Sequence, residues 1–282
     1  MSESPPLSVR DVVNDGARRL AAAGVAQPRR EAAQLWEAAS GGGHGSAWRR
    51  GSDVADAGLL ARFRTRIDRR VAGAPLAHVL GEWSFRHLEL TITPDVLIPR
   101  PETEGLVDLL LSRVQRGRVA DLGTGSGCIA LALGSEGSFE QVIAVDASAA
   151  ALVVARHNAT RCGLHPGLMR ADFGRALADG AFDAVVSNPP YLSEAEYAGL
   201  EPSVKTFEPR LALESGSDGL AATRAVIADA ARVLRPRGWL ALEIDATRGL
   251  ESARLARDAG FVGVTIHQDL FGRERFLLAQ RS

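Results

Sequence analysis

Cysteine, lysine and aromatic residues are all scarce in this 282-residue chain. Lys205 is its only lysine, two of its residues are cysteines, and 5% are aromatic. Two cysteines are too few for a disulfide framework, so the sequence predicts a reducing compartment, the cytoplasm. No apolar run approaches the roughly 18 residues that a membrane span needs. Residues 1–6 contain neither a basic nor an apolar segment, and we therefore expect no secretory signal.

Neither sign of charge is in excess. The chain carries 33 basic and 34 acidic residues, a formal net charge of −1. This balance argues against an extended nucleic-acid-binding surface, although it leaves a local basic patch open. Hydrophobic residues make up 46% of the chain, which is ample for a core. The length predicts one large domain or two smaller ones.

Three segments with different periodicity follow one another. Residues 1–75 carry apolar side chains at helical spacing and predict a small helical bundle, interrupted by a flexible glycine loop at 41–46. Residues 76–97 include an alternation of polar and apolar residues and predict a β-linker. Residues 98–282 contain alternating strand and helix patterns, which predict an open α/β sheet with helices on both faces.

The order of these patterns predicts the sheet topology. Strands are predicted at 118–122, 141–146, 167–171, 182–187, 239–244, 262–268 and 275–279, with helices at 106–115, 127–135, 148–162, 219–234 and 248–259. Only residues 269–274 join the last two strands, and so short a connection permits antiparallel pairing alone. The predicted fold is therefore an α/β sheet that is mainly parallel and has an antiparallel C-terminal hairpin.

A glycine turn follows the first strand of this sheet. Gly123, Gly125 and Gly127 are spaced GxGxG, whereas the dinucleotide pattern GxGxxG would need glycine at Cys128. Asp146 ends the next strand, where a carboxylate can accept hydrogen bonds from both hydroxyls of a ribose. Together they predict a nucleoside ligand without a pyrophosphate. A turn without a ligand, and a helix cap at Asp146, remain as alternatives.

A third predicted strand ends in Asp172 and Phe173. The carboxylate can accept from the amino group of an adenine, and the phenyl ring can stack on the base. A loop acid followed by a core phenylalanine fits the sequence equally well.

A rigid loop, Asn188-Pro189-Pro190-Tyr191, ends the apolar strand 182–187. Proline lacks an N–H and restricts the residue before it, so the loop presents acceptors: the Asn188 side-chain oxygen and two carbonyls. Rigid acceptors at the end of a strand suit an –NH₂ group, which Tyr191 can cover with its ring. A simple strand-terminating turn is the alternative.

The glycine loop, the acid at position 146 and the Asn-Pro-Pro-Tyr loop together resemble class I S-adenosylmethionine-dependent methyltransferases that act on planar amides or amines. Segments 75–82, 93–104, 207–213 and 269–275 are similar to the peptide chain release factor N5-glutamine methyltransferases. The resemblance covers nearly the whole chain. It departs from the family pattern in details, such as Arg86 and His87 in place of an aromatic residue and a glycine.

The resemblance implies a Rossmann-like class I methyltransferase fold, S-adenosylmethionine as the cofactor, and a glutamine in the Gly-Gly-Gln loop of class 1 release factors as the substrate. It implies neither direct nucleic-acid binding nor a membrane. The implied cofactor-binding residues are Asp121, Gly123, Thr124, Gly125, Ser126, Gly127, Asp146, Asp172, Phe173 and Asn188. The implied catalytic residues are Asn188, Pro189, Pro190 and Tyr191.

Three other functions remain open at this point. One is the same chemistry on a glutamine of a large-subunit ribosomal protein. Another is methylation of an adenine or cytosine amino group in a nucleic acid, against which the net charge of −1 argues. The third is a cofactor-binding module without catalysis. For the leading function, we expect residues 1–75 to recognise the protein substrate, since every motif for cofactor or amide lies later in the chain.

The remaining polar candidates are weaker. The six histidines (residues 44, 78, 87, 157, 165 and 267) show no metal-ligand spacing, so no metal is predicted. Cys128 is interpreted either as a thiolate at the start of a helix or as a small packed residue. Arg100, Glu102 and Glu104 either shape the entrance of the site or form a local ion-pair network.

Overall fold

The computed structural model describes residues 7–43 and 45–282, which form two compact units. One unit ends at Gly81 and the other extends from Glu82 to Ser282. Residues 1–6, on which the prediction about a secretory signal was made, lie outside the described residues, as does His44 of the predicted glycine loop.

The first unit is helical, as predicted. Its helices are α1 (Val9–Ala22), α2 (Pro28–Ser40), α3 (Ser46–Arg49), α4 (Ala57–Val71) and α5 (Leu76–Leu80). Ser8 caps α1 and Asp56 caps α4, each by accepting a backbone N–H with its side chain. Trp36 of α2 packs edge-on against Phe63 of α4 with their ring centres 5.5 Å apart.

The short helix α5 occupies the start of the segment for which a β-linker was expected. Pro75 precedes its first turn, and Gly81 ends it in a left-handed conformation with φ of 82°. Two arginines of α4 donate to backbone carbonyls of α5: Arg66 to the carbonyl of Val79 and Arg69 to that of His78. These bonds between elements are invisible to a reading of local periodicity.

The second unit begins with a hairpin of β1 (Glu82–Phe85) and β2 (Leu88–Thr91), which are antiparallel. Arg86 occupies the turn with φ of 54°, a conformation that a non-glycine residue rarely adopts. Its guanidinium forms ion pairs with Asp108 and Glu136 at 2.7 and 2.6 Å. This departure from the family pattern therefore has its own supporting contacts.

The predicted strands and helices are present in the rest of this unit, and three short helical segments between residues 194 and 212 were not predicted. In chain order the elements are α6 (Pro101–Leu111), β3 (Arg116–Leu122), α7 (Cys128–Glu136), β4 (Ser138–Asp146), α8 (Ala149–Cys162), β5 (Gly167–Arg170), β6 (Phe182–Ser187), α9 (Glu194–Gly199), α10 (Pro202–Phe207), a 3₁₀ turn (Arg210–Ala212), α11 (Ala221–Val233), β7 (Leu234–Glu243), α12 (Gly249–Asp258), β8 (Phe261–Gln268) and β9 (Glu274–Arg281). Among residues 7–43 and 45–282, every helix is too short or too polar to cross a bilayer.

Seven strands form one sheet in the order β5-β4-β3-β6-β7-β9-β8. The pairs from β5 to β7 are parallel, whereas β9 is antiparallel to both β7 and β8. The antiparallel C-terminal hairpin is thus confirmed. Strand β3 connects outward to β4 and β5, while β6 and β7 lie on its other side, so the order reverses between β3 and β6. In open α/β sheets, ligands bind at the carboxyl ends of the strands beside such a reversal.

Candidate active site

A cavity of about 420 Å³ lies where the glycine loop and the Asn188 loop meet. All of its lining residues belong to the second unit. It lies within the volume range typical of small-molecule sites. Nine of the predicted site residues line it: Gly123, Thr124, Gly125, Ser126, Asp146, Asp172, Phe173, Asn188 and Pro190. The other four, Asp121, Gly127, Pro189 and Tyr191, lie outside this lining.

Asp146 connects the glycine loop to the start of α8. Its Oδ2 accepts from the backbone N–H of Gly125 and its Oδ1 from that of Ser148, both at 2.8 Å. Ser148 is the N-cap of α8, with its side chain accepting from Ala151 N. The alternative interpretation of Asp146 as the cap of this helix is therefore wrong. Each carboxylate oxygen has a second lone-pair direction, so Asp146 can accept two further hydrogen bonds.

Asp121 lies behind the glycine loop and is fully buried. Its Oδ2 accepts from the Thr124 hydroxyl at 2.6 Å and from Ala130 N at 3.1 Å. Burial raises the pKa of this carboxyl to about 7. The two hydrogen bonds to Asp121 hold the glycine loop against α7. Gly127 has a structural role as well: its φ is 85°, and a Cβ at this position would approach the Ala155 Cβ to 3.3 Å, so a larger residue is disfavoured.

Asp172 and Phe173 both lie on the wall of the cavity. Asp172 is exposed and pairs with Arg175 at 3.3 Å. Phe173 has φ of 46° and is half-buried, with its ring packed against the core of the sheet. Phe173 therefore packs against the core and also lines the cavity, so it combines the two roles that the sequence left open. Backbone strain at a non-glycine residue is typical of functional sites.

The amide of Asn188 is held at one end. Its Nδ2 donates to Thr103 Oγ1 at 3.1 Å, and the Thr103 hydroxyl donates in turn to Glu243 Oε2 at 2.7 Å. The Asn188 side-chain oxygen is thereby left as the end available to a ligand in the cavity. Pro189 is buried. Burial raises the pKa of the Tyr191 phenol to about 12, so the hydroxyl stays protonated at neutral pH.

Thr103 and Glu243 are site residues that the sequence reasoning missed. Thr103 is 2% exposed and Glu243 1% exposed. Burial raises the pKa of the Glu243 carboxyl to about 7. A signal was present, because Glu243 is the single charged residue in the predicted apolar strand 239–244. A charged residue that is nearly fully buried requires a partner, and here that partner is Thr103.

Of the charged residues at 100–104, one lies at the cavity and another belongs to a local ion-pair network. Arg100 lines the cavity and forms an ion pair with the buried carboxylate of Glu208 at 2.7 Å. Glu104 belongs to a local network, accepting from Arg86 N at 2.8 Å. Cys128 is buried at the wall of the cavity, and burial raises the pKa of its thiol to about 12, which favours a small packed residue over a thiolate. Within the described part of the chain, no group of three or more His, Cys, Asp or Glu side chains is arranged to hold a metal ion.

Comparisons with known proteins agree with this architecture. Residues 11–81 match the family model of the PrmC N-terminal domain, and residues 102–200 match that of the methyltransferase small domain. The release factor glutamine methyltransferase of Moorella thermoacetica is 41% identical over 281 residues, which are 98% of this chain and 99% of the relative. The protein of the same name from Deinococcus radiodurans is 38% identical over 279 residues, with the same coverage of 98% and 99%.

Among solved structures, a methyltransferase from Pyrococcus furiosus is similar with a TM-score of 0.54 at 19% identity. The match covers 78% of this chain and 98% of that one. At this identity the similarity concerns the fold alone, and together with the family match it confirms the predicted methyltransferase fold.

Proposed function

The chain belongs to the release factor glutamine methyltransferases, and from this premise we propose that it methylates the side-chain amide nitrogen (N5) of the glutamine in the Gly-Gly-Gln loop of class 1 release factors. S-adenosylmethionine is the methyl donor. The observation that carries the proposal is the hydrogen bond from Asn188 Nδ2 to Thr103, which leaves the Asn188 oxygen for the cavity. A side-chain amide with two N–H groups is a donor that this oxygen can hold.

The residues at the cavity fit S-adenosylmethionine. Asp146 retains a lone-pair direction on each oxygen, as two ribose hydroxyls require. Phe173 offers a ring surface for the adenine, and Asp172 an acceptor for its amino group. A Cβ at Gly125 would meet no atom within 4 Å, so the loop leaves open space at the cavity. We assign the methionine end to the loop of residues 123–127, with Asp121 supporting it from behind.

Asn188 and Pro189 position the substrate amide. A glutamine nitrogen is a poor nucleophile because its lone pair is delocalised into the carbonyl. In this proposal, Asn188 Oδ1 and the Pro189 carbonyl accept its two N–H bonds and fix the plane of the amide. Orientation of the reacting groups is then the main catalytic contribution. Pro190 keeps the loop rigid, and Tyr191 covers the planar group with its ring.

The same two oxygens stabilise positive charge as it develops on the nitrogen. By analogy with the loss of one oxyanion-hole donor, each contributes about 2–4 kcal/mol. The methylated amide loses its extra proton readily to water after transfer. A general base before transfer is therefore not required of any residue at the cavity.

We assign recognition of the protein substrate to the helical unit. All residues that line the cavity follow Gly81 in the chain, so the chemistry does not draw on that unit's side chains. A single glutamine in a loop offers little surface, whereas a stable protein complex buries about 1,200–2,000 Å². A second unit supplies the additional surface.

A substrate comparison tests this function. The full-length protein and methyl-labelled S-adenosylmethionine are incubated in parallel with an unmethylated class 1 release factor, ribosomal proteins of the large subunit, and DNA or RNA. We expect transfer to the release factor alone. Preferential labelling of a ribosomal protein or a nucleic acid over the release factor would contradict the proposed substrate. Binding of the cofactor without any methyl transfer would contradict a catalytic function.

A further inference from the structure

We propose that Thr103 and Glu243 are positioning residues that determine which end of the Asn188 side-chain amide faces the substrate. The inference rests on the proposed function, since it concerns the group that holds the substrate glutamine. It adds two residues that neither touch the reacting atoms nor belong to the Asn-Pro-Pro-Tyr loop.

Three elements bring these side chains together. Thr103 lies in the first turn of α6, Glu243 is the last residue of β7, and Asn188 directly follows β6. Strands β6 and β7 are paired in parallel with Ser187 opposite Leu242, so Asn188 and Glu243 lie side by side at the carboxyl ends of the two strands. The arrangement is thus built from the rigid sheet and one helix terminus.

The direction of the hydrogen bonds follows from the donors available. A threonine hydroxyl has a single proton, and an ionised carboxylate can only accept. While Glu243 is ionised, the Thr103 hydroxyl donates to Glu243 Oε2, so the Thr103 oxygen can only accept from Asn188. Asn188 must therefore turn Nδ2 toward Thr103 and keep Oδ1 on the other side.

Burial makes this direction difficult to reverse. Thr103 and Glu243 are both buried, with Thr103 at the wall of the cavity, so little solvent competes for either partner. In so enclosed a place, hydrogen bonds are stronger and unsatisfied groups are costly. If the amide of Asn188 were reversed, its –NH₂ group would meet the –NH₂ group of the substrate glutamine, donor against donor.

Charged and titratable groups surround Glu243 from several elements. Arg275 of β9, with Arg100 and Glu102 at the start of α6, acts electrostatically on its carboxyl. Glu243 in turn acts on the Tyr191 phenol. Kinetic comparisons are therefore made at about pH 8, above the raised pKa of the Glu243 carboxyl.

Two substitutions of nearly unchanged volume test the direction. In Glu243→Gln, the new amide can donate to Thr103, which frees the threonine proton for Asn188 Oδ1 and allows the reversed orientation. In Thr103→Val, the hydroxyl is removed and Asn188 loses its anchor. Thr103→Ser keeps the hydroxyl and serves as the conservative variant.

The matched control is Asp183→Asn. Asp183 is also a buried carboxylate of the central sheet, but it lies near the opposite end of β6, where it accepts from Arg118 N at 2.8 Å. We expect Glu243→Gln and Thr103→Val to lower kcat on an unmethylated release factor at least about tenfold. Thr103→Ser should recover most of that loss, and Asp183→Asn should stay within about twofold of the natural protein.

A second measurement is independent of turnover. The side-chain ¹H–¹⁵N resonances of Asn188, assigned by comparison with Asn188→Ala, should shift in Glu243→Gln and in Thr103→Val but not in Asp183→Asn. An unchanged kcat in Glu243→Gln, or unmoved Asn188 resonances, would overturn the inference. A natural protein that does not methylate release factors would contradict the proposed function instead, and the resonances would still test the orientation of Asn188.

Discussion

Replacing Asp146 with alanine should weaken S-adenosylmethionine binding more than any other single change of a cavity carboxylate. The substitution removes the acceptors for Gly125 N and Ser148 N, both at 2.8 Å, and those assigned to the two ribose hydroxyls. A hydrogen bond to a charged group contributes about 1.5–3 kcal/mol. Loss of even one such bond to the ligand therefore lowers the affinity at least about tenfold.

Asp146→Asn should lose nearly as much affinity, although it keeps the shape of the side chain. The two carboxylate oxygens both accept from backbone N–H groups, so the new –NH₂ group would face one of these donors. The glycine loop would then have to shift from its position at the cavity.

Isothermal titration calorimetry with S-adenosylmethionine measures the effect directly. The control is Asp56→Ala, which removes a carboxylate that also accepts a backbone N–H, from Leu59, but caps a helix in the other unit. It should lower thermal stability and leave the cofactor affinity unchanged. Equal affinities for Asp146→Ala and the natural protein would refute the assignment of the ribose to Asp146.

Three further predictions follow from the site. Asn188→Ala should keep most of its cofactor affinity but lose at least about 100-fold in the rate of methyl transfer, and a near-normal rate in a single-turnover assay would remove this loop from the mechanism. Burial raises the pKa of both Asp121 and Glu243 to about 7, so the folded state binds more protons than the unfolded chain between about pH 4.5 and 7. The free energy of unfolding should therefore fall as the pH rises through this window, by up to about 3 kcal/mol for Glu243, and denaturant titrations should show a weaker fall in Glu243→Gln. A chain beginning at Glu82 should bind cofactor and methylate a short Gly-Gly-Gln peptide as slowly as the full chain does, yet lose most activity on a whole release factor. Equal losses on peptide and protein would show that the helical unit supports the active site and does not recognise the substrate.

The sequence predicted the sheet well because its strands carry strong local signals. Strand 182–187 was predicted at its observed bounds, since it is apolar except for Asp183 and Ser187, and the prolines after Ser187 stop it. The antiparallel hairpin followed from a loop too short for a crossover. Both features depend on neighbouring residues alone.

Features that depend on distant residues were harder to predict. The helix at Leu76–Leu80 is held by arginines of another helix, and alternation in the following residues concealed it. Asp121 is the penultimate residue of β3 and Asp146 the last residue of β4, yet only Asp146 lies on the cavity. Asp121 is buried behind the loop, where it accepts from Thr124 and Ala130. The positions of Asp121 and Asp146 near strand ends identified both carboxylates as candidates for the site. They did not show that Asp146 lines the cavity whereas Asp121 only supports the glycine loop.

Thr103 and Glu243 show the same limit at the site itself. They lie 85 and 55 residues from Asn188 in the sequence, on elements whose relation becomes visible only in the sheet. Local rules placed Asn188 correctly at the end of a buried strand. They did not show which atom of its amide would be free, because that depends on the hydroxyl and the carboxylate that hold the other end.

Locating the methyl group on the substrate tests the proposed function directly. The full-length protein is incubated with S-adenosylmethionine and an unmethylated class 1 release factor, and tandem mass spectrometry locates the added methyl. A release factor whose Gly-Gly-Gln glutamine is replaced by glutamate serves as the control substrate. We expect one methyl group on the side-chain nitrogen of that glutamine and none on the control. A methyl group on another residue, or equal transfer to both substrates, would refute the proposed function.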